Sequence, residues 1–167
     1  MKFNIETGKS NPKLRHISAP VEKAEMKKFA MLWEEMIKYI KDPENNWVWL
    51  AAPQVWIEKR VICVSLMKTY DDKSFKTVYM INPEILSHSE EIEIDNEGCL
   101  SVPKKFWDVA RAKDIKVKYL DGKWKEITLL LSGISARIVQ HEVDHLDWIL
   151  FIDKIVEAEE EAKNHVF

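Results

Sequence analysis

The sequence predicts an α+β fold, mainly antiparallel β-sheets packed around a helix in the C-terminal half. Three observations predict it. Helical periodicity sits at the flanks, over residues 21–41 and again from residue 132 onward. Between them lie four short runs rich in β-branched and aromatic residues. One of these, "IKVKYL", alternates apolar and polar side chains, the pattern of an antiparallel strand with one buried face.

Taken in order, residues 1–20 read as irregular and extended, punctuated by Pro12 and Pro20. From Val21 to Lys41, the residues Met26, Phe29, Leu32, Met36, Ile37 and Ile40 recur at three- and four-residue steps, with charges on the opposite face. Asp42-Pro43 ends that helix, because proline lacks an N–H and crowds the residue before it. The predicted strands are "RVICVSL" (60–66), "KTVYMI" (76–81), "IKVKYL" (115–120) and "EITLLL" (126–131). Ser132 and Ser135 are candidate caps for a helix through "ISARIVQHEVDHL". A third helix is expected over "DKIVEAEEEAKNHVF" (153–167), with the acidic run Glu157–Glu161 as a solvated face. No repeat or linker-like tract divides the sequence, so residues 1–167 are expected to form one domain.

Composition narrows the function classes. The net charge is −3 with no polybasic run, so nucleic acid is not the expected partner. The opening "MKFNIETGKSNPKLR" has no apolar core, so no signal peptide is expected, and no apolar run approaches membrane-spanning length. Two cysteines, Cys63 and Cys99, are too few for a secreted disulfide framework, which points to a reducing cytoplasm.

The chemistry concentrates in "QHEVDHLDW". His141 and His145 stand four apart on the predicted second helix and share a face, so both imidazoles can reach one metal ion. Glu142 follows the first histidine and can act beside the metal as a proton acceptor. A catalytic site needs at least one more donor. Downstream, Asp147, Asp153, Glu157 and His165 form no recognisable third-ligand pattern. Upstream, Cys99 stands in "NEGCLSVP" among polar and turn residues, whereas Cys63 lies inside an apolar strand and reads as a small hydrophobe. His16, His88 and His165 have no motif around them and read as surface residues.

Three segments together resemble the signature motifs of the peptide deformylase family, in the family's order: "LAAPQV" (50–55), "EGCLS" (97–101) and "QHEVDH" (140–145). The resemblance extends over roughly residues 7 to 155. It implies a peptide-deformylase-like fold and removal of the formyl group from the initiator methionine of nascent polypeptides. It implies that Cys99, His141 and His145 bind one divalent metal, usually Fe2+ with Zn2+, Ni2+ or Co2+ as substitutes, and that water takes the fourth position. Glu142 would shuttle protons, and the Gln54 side-chain amide with the Leu100 backbone N–H would receive the oxyanion. Val48, Trp49, Gly98 and Ile138 would line the substrate site, and Glu97 and Asp144 are candidates to orient the imidazoles. The implied partners are formyl-methionyl peptides and, transiently, the ribosome. Open alternatives are a metallopeptidase using the same helix motif and a non-catalytic relative.

One departure from the family pattern stands out. Tryptophan occupies the family's glycine positions at 47, 49, 56 and 148, and Trp107 and Trp124 also fall where glycine would be natural. Trp33 has no such reading. The chain has four glycines and seven tryptophans. At the average frequency, a chain of this length would carry about twelve glycines. Either the groove is plugged or reshaped by indoles, or glycine codons of the UGA type have been read as tryptophan. Lys104 is a further departure, at the expected rim of the groove.

Overall fold

The computed structural model describes residues 3–45, 47–72 and 74–156. Five strands form one antiparallel sheet in the order β1-β2-β3-β6-β7: β1 (Trp49–Ala51), β2 (Val61–Leu66), β3 (Lys76–His88), β6 (Asp114–Leu120) and β7 (Glu126–Ser132). Two further strands, β4 (Ile92–Cys99) and β5 (Val102–Ala112), pair as a separate antiparallel hairpin. Two α-helices complete the frame, α1 (Met26–Lys41) and α2 (Gly133–Leu146).

The helices occupy opposite faces of the large sheet, and β2 records this in its composition. Val61 and Cys63 pack in the cluster around Trp33, Met36 and Ile40 of α1. Ile62 and Val64 pack in the cluster around Ala136, Val139 and Val143 of α2. A strand covered on both sides is apolar throughout, which is why "VICV" does not alternate. In β6, Ile115, Val117 and Tyr119 face the α2 cluster while Lys116 is exposed, so that strand does alternate.

Several expectations need correction. The first helix does not begin at Val21; a 3-10 turn (Lys23–Glu25) precedes α1. Val21 is instead clamped by Asn82, whose side chain accepts from the Val21 N–H (2.8 Å) and donates to its carbonyl (2.9 Å). The buried stripe of α1 runs through Trp33, Met36 and Ile40, with Leu32 only half-buried. Trp33 is the side chain that sequence left unassigned; it stacks between Phe29 and Tyr79, with ring centroids 6.2 and 5.6 Å away. Ser132 takes the N-cap position of α2 without a side-chain cap bond. Ser135 is no cap either: its hydroxyl bonds both the N–H and the carbonyl of Met67, tying α2 to the end of β2. The expected third helix is not present at its start. Phe151–Asp153 form a 3-10 turn, Ile155 bridges to Val109, and residues 157–167, with the acidic run and His165, lie outside the described residues.

The hairpin of β4 and β5 was not anticipated. Its strands carry many charged and exposed side chains, so they show neither the apolar run nor the clean alternation that marks a strand. Polar clamps hold it to α2. Gln140 accepts from the Ala112 N–H (3.2 Å) and donates to its carbonyl (2.8 Å), and Arg137 donates to the carbonyls of Val109 (2.9 Å) and Glu93 (2.7 Å). These bonds bring the C-terminal end of β4, where Cys99 sits, against the last turns of α2.

Candidate active site

Three elements converge. α2 presents His141, Glu142 and His145, with 5%, 0% and 1% exposure. β4 ends on Cys99, which pairs with Val102 across the turn at Leu100–Ser101. A 3-10 turn after β1, Ala52–Val55, carries Gln54. The turn-like setting read from sequence thus begins one residue after Cys99.

The Cys99 thiol and one ring nitrogen from each of His141 and His145 all lie within 4.8 Å of one another. Cys99 Sγ is 3.2 Å from His145 Nε2. The Nδ1 atom of His141 meets the Glu97 carboxylate at 2.9 Å, which turns its Nε2 toward the cluster. That Nε2 and both Glu142 carboxylate oxygens are buried with no hydrogen-bond partner among the described residues. Buried polar atoms are normally paired. Orphaned atoms converging beside a thiol therefore mark a place built for something besides protein. A thiolate with two imidazoles suits a divalent transition metal, so the donor set fits the implied ion.

Electrostatics agree with that division of roles. Burial, with His141 and Arg111 adding positive charge nearby, pushes His145 well below its ordinary value, so its imidazole stands neutral, the ligating form. Burial and the neighbouring Glu142 push the Cys99 thiol up to about 12. A bound cation opposes this shift by stabilising the thiolate. Burial raises the Glu142 carboxyl well above its usual range; Arg111 opposes that shift, while Glu97 and Asp144 add to it. Glu97 behaves oppositely. Burial disfavours its charge, but hydrogen bonds from Arg111 and His141 overcome this and hold it ionised.

Gln54 combines the two readings that sequence allowed. Its side-chain carbonyl accepts from the Ala51 N–H at 2.8 Å, as a turn residue's would. That anchor directs the amide NH2 toward Ser101 Oγ (3.1 Å) and Cys99 Sγ (3.5 Å). Ser101 is a site residue that sequence reasoning passed over; its N–H also points at the Cys99 sulfur at 3.4 Å. Asp144 does not orient a histidine. It accepts from Arg111 (2.6 Å) and Lys154 (2.7 Å), while His145 Nδ1 has no partner among the described residues. Arg111 and Arg137 were also missed. Both donate to Glu97, at 2.7–2.9 Å and 2.7 Å, and no motif or spacing announces that pairing.

A cavity of about 340 Å³ opens beside the cluster, lined by Trp47, Trp49, Gly98, Phe106, Ile138 and His141 among others. A Cβ at Gly98 would lie 2.5 Å from the exposed Phe106 ring, which would have to move to admit it. Ile138 serves both the cavity wall and the α2 core cluster. Val48 does not line the cavity; it packs against the large core cluster, as Trp49 also does from the cavity wall. His16 and His88 are exposed.

A thiol and two imidazoles around one point, with a buried carboxyl at their side, define a metal-dependent hydrolase. Comparison with known proteins gives the particular family. The chain belongs to the polypeptide deformylase family, whose description matches residues 5–161. "Peptide deformylase 1" of Clostridium perfringens is 46% identical over 123 residues, covering 74% of this chain and 78% of that one. The peptide deformylase of Pseudothermotoga lettingae is 40% identical over 148 residues, covering 86% and 82%. The alignment with the Prochlorococcus marinus relatives spans just over half of their length, 55%. Among solved structures, the Met-Ala-Ser-bound class I type b peptide deformylase of Acinetobacter baumannii matches with a TM-score of 0.82 at 38% identity, covering 93% of this chain and 99% of that one. The Thermotoga maritima peptide deformylase matches with a TM-score of 0.82 at 36% identity, covering 94% and 99%. The fold is accordingly deformylase-like, with antiparallel sheets and a helix in the C-terminal half.

Proposed function

We propose that this chain hydrolyses the N-formyl group from formyl-methionine at the start of nascent polypeptides, releasing formate. The observation that carries the reading is the convergence of Cys99, His141 and His145 within 4.8 Å beside the buried Glu142, whose carboxylate has no hydrogen-bond partner among the described residues. Membership of the deformylase family supports the substrate class. The three donors would hold one divalent cation, with Fe2+ as the native ion. When bound, that cation supplies Lewis acidity, lowering the pKa of water and polarising the formyl carbonyl.

The protein's own groups do the rest. Glu142 takes the proton of the attacking water and delivers it to the departing amine, a role suited to a carboxyl whose affinity for protons is raised by burial. The Gln54 amide, held by Ala51, and the Leu100 backbone N–H donate to the developing oxyanion. Gly98 lets the peptide backbone approach, and Ile138 bounds the methionine pocket, with position 49 on the facing wall. We take residues 1–167 as one domain working in the cytoplasm and meeting its substrate near the ribosome. No helix among the described residues is long and apolar enough to cross a membrane.

The test is to incubate the Fe2+-loaded protein anaerobically with formyl-Met-Ala-Ser and measure formate. Formate release above the metal-free control is expected. If neither this chain nor a version with glycine at the family's glycine positions releases formate, the chain is a non-catalytic relative. Cleavage of unformylated peptides instead would favour the metallopeptidase alternative.

A further inference from the structure

Seven described residues adopt a φ in the left-handed region. Two are glycines, Gly8 (106°) and Gly133 (57°). Asn82 (50°) is of a type that tolerates this conformation, and its bonds to Val21 hold it there. Of the remaining four, three are tryptophans: Trp56 (65°), Trp124 (63°) and Trp148 (63°). The fourth is Lys104 (63°). A bulky side chain in this region is an outlier, and only glycine occupies it without a Cβ penalty. One lysine there is an isolated exception. Three residues of a single rare type are a pattern.

Exposure is an independent observation. Indoles are highly buried on average. Here Trp56 and Trp148 are 64% and 54% exposed, and Trp107 is 37% exposed. Trp33 is 2% exposed, helical and stacked on two aromatic rings, while Trp124 is half-buried against the same cluster. Lys13 does lie 3.5 Å above the Trp56 ring, but an exposed cation–π contact gives no reason for that backbone to be left-handed. The composition points the same way, because four glycines and the six tryptophans other than Trp33 together make ten, near the ordinary glycine complement.

We infer that positions 56, 124 and 148 are glycine in the protein as its host makes it. One codon, UGA, is read there as glycine although the printed sequence reads it as tryptophan. The same codon then accounts for Trp47, Trp49 and Trp107, and Trp33 is a true tryptophan encoded by UGG. The consequence falls on the active site. Trp47 and Trp49 stand edge to face, centroids 5.6 Å apart, on the cavity wall. Glycine at both removes two indoles from that wall and lets an extended peptide lie against the β1 backbone. The inference concerns composition and not chemistry, so failure of the formate assay leaves it untouched.

The test maps peptide masses of the chain purified from its own host and reads the codons of the same gene. Glycine is expected at 47, 49, 56, 107, 124 and 148, each with UGA, and tryptophan at 33 with UGG. Tryptophan at 56, 124 and 148 in the native peptides overturns the inference whatever the codons are. A second measurement compares recombinant forms. The triple variant Trp56→Gly, Trp124→Gly, Trp148→Gly should melt higher than the tryptophan form, by about 2 °C per position, while Trp33→Gly should melt lower. A triple variant that melts no higher removes the left-handed backbone as an argument for glycine.

Discussion

Cys99 and Cys63 show what a residue's neighbours decide. Both are buried, and burial pushes both thiols up. Cys63 lies among apolar side chains on the α1 side of β2 and has only packing to do. Cys99 faces two imidazoles, the Gln54 amide and the Ser101 N–H. Replacing Cys99 with alanine is expected to abolish stoichiometric metal retention and to lower formate release at least a hundredfold, about 3 kcal/mol of lost stabilisation. Metal content by elemental analysis, alongside the formate assay, reads both effects. Full metal retention in Cys99→Ala would place the third donor elsewhere and revive the metallopeptidase reading. The cluster of Cys99, His141 and His145 was legible because two stand at helical spacing and the third lies in a motif the family shares. The partners of those donors were not. Arg111 reaches Glu97 across the β4–β5 hairpin, and Arg137 reaches it only because that hairpin folds against α2; sequence separation carries no trace of either.

Elements were legible in proportion to how one-sided their burial is. α1 and β6 each bury one face, so periodicity finds them, while β7, half-buried at most, was found from its composition. β2 is covered on both faces and was found from its apolar run. β4 and β5 were missed because the attachment of their hairpin to α2 is largely ionic and polar rather than apolar. That attachment has a testable energy. Arg111 is 3% exposed and bridges Glu97 of β4 to Asp144 of α2. Removing one partner from a buried charge network leaves the others desolvated and unpaired, at a cost of about 3–5 kcal/mol. Arg111→Met should therefore lose about 3 kcal/mol in urea unfolding. It should also loosen metal retention, since Glu97 then holds His141 less firmly. A loss below 1 kcal/mol would mean that Arg137 alone satisfies Glu97.

At the scale of the molecule, the extended N-terminal segment is laced across elements far away in sequence. The Glu6 N–H donates to the Gln54 carbonyl and the Gly8 N–H to that of Ser101, both at 2.8 Å, so the segment braces the two loops that flank the candidate site. Its far end is tied by Arg15, which donates to the Asp153 carboxylate (3.0 Å) and to the Trp148 carbonyl (3.0 Å). The Arg15 hydrogen bond holds the Asp153 carboxyl below its usual range, against a smaller opposing effect of burial. The folded pKa therefore lies below the unfolded one, about 3.9. The stabilisation is fully present above that value and is lost as pH falls through the folded pKa. Asp153 is 38% exposed, so solvent screening keeps the contribution near 0.5 kcal/mol. Asp153→Asn should accordingly unfold slightly more easily at pH 7, and the gap from the parent should close as the pH drops below about 4. Raising the salt to about 1 M should narrow the gap at pH 7 as well. The Leu150 N–H also bonds the Asp153 carboxylate, at 2.8 Å, and an asparagine can keep that bond through its own carbonyl. Urea unfolding of both proteins across pH 3–7 therefore reads the charge contribution. A gap that persists undiminished at pH 3 would show that the charge pair of Arg15 and Asp153 does not hold the N-terminal segment in place.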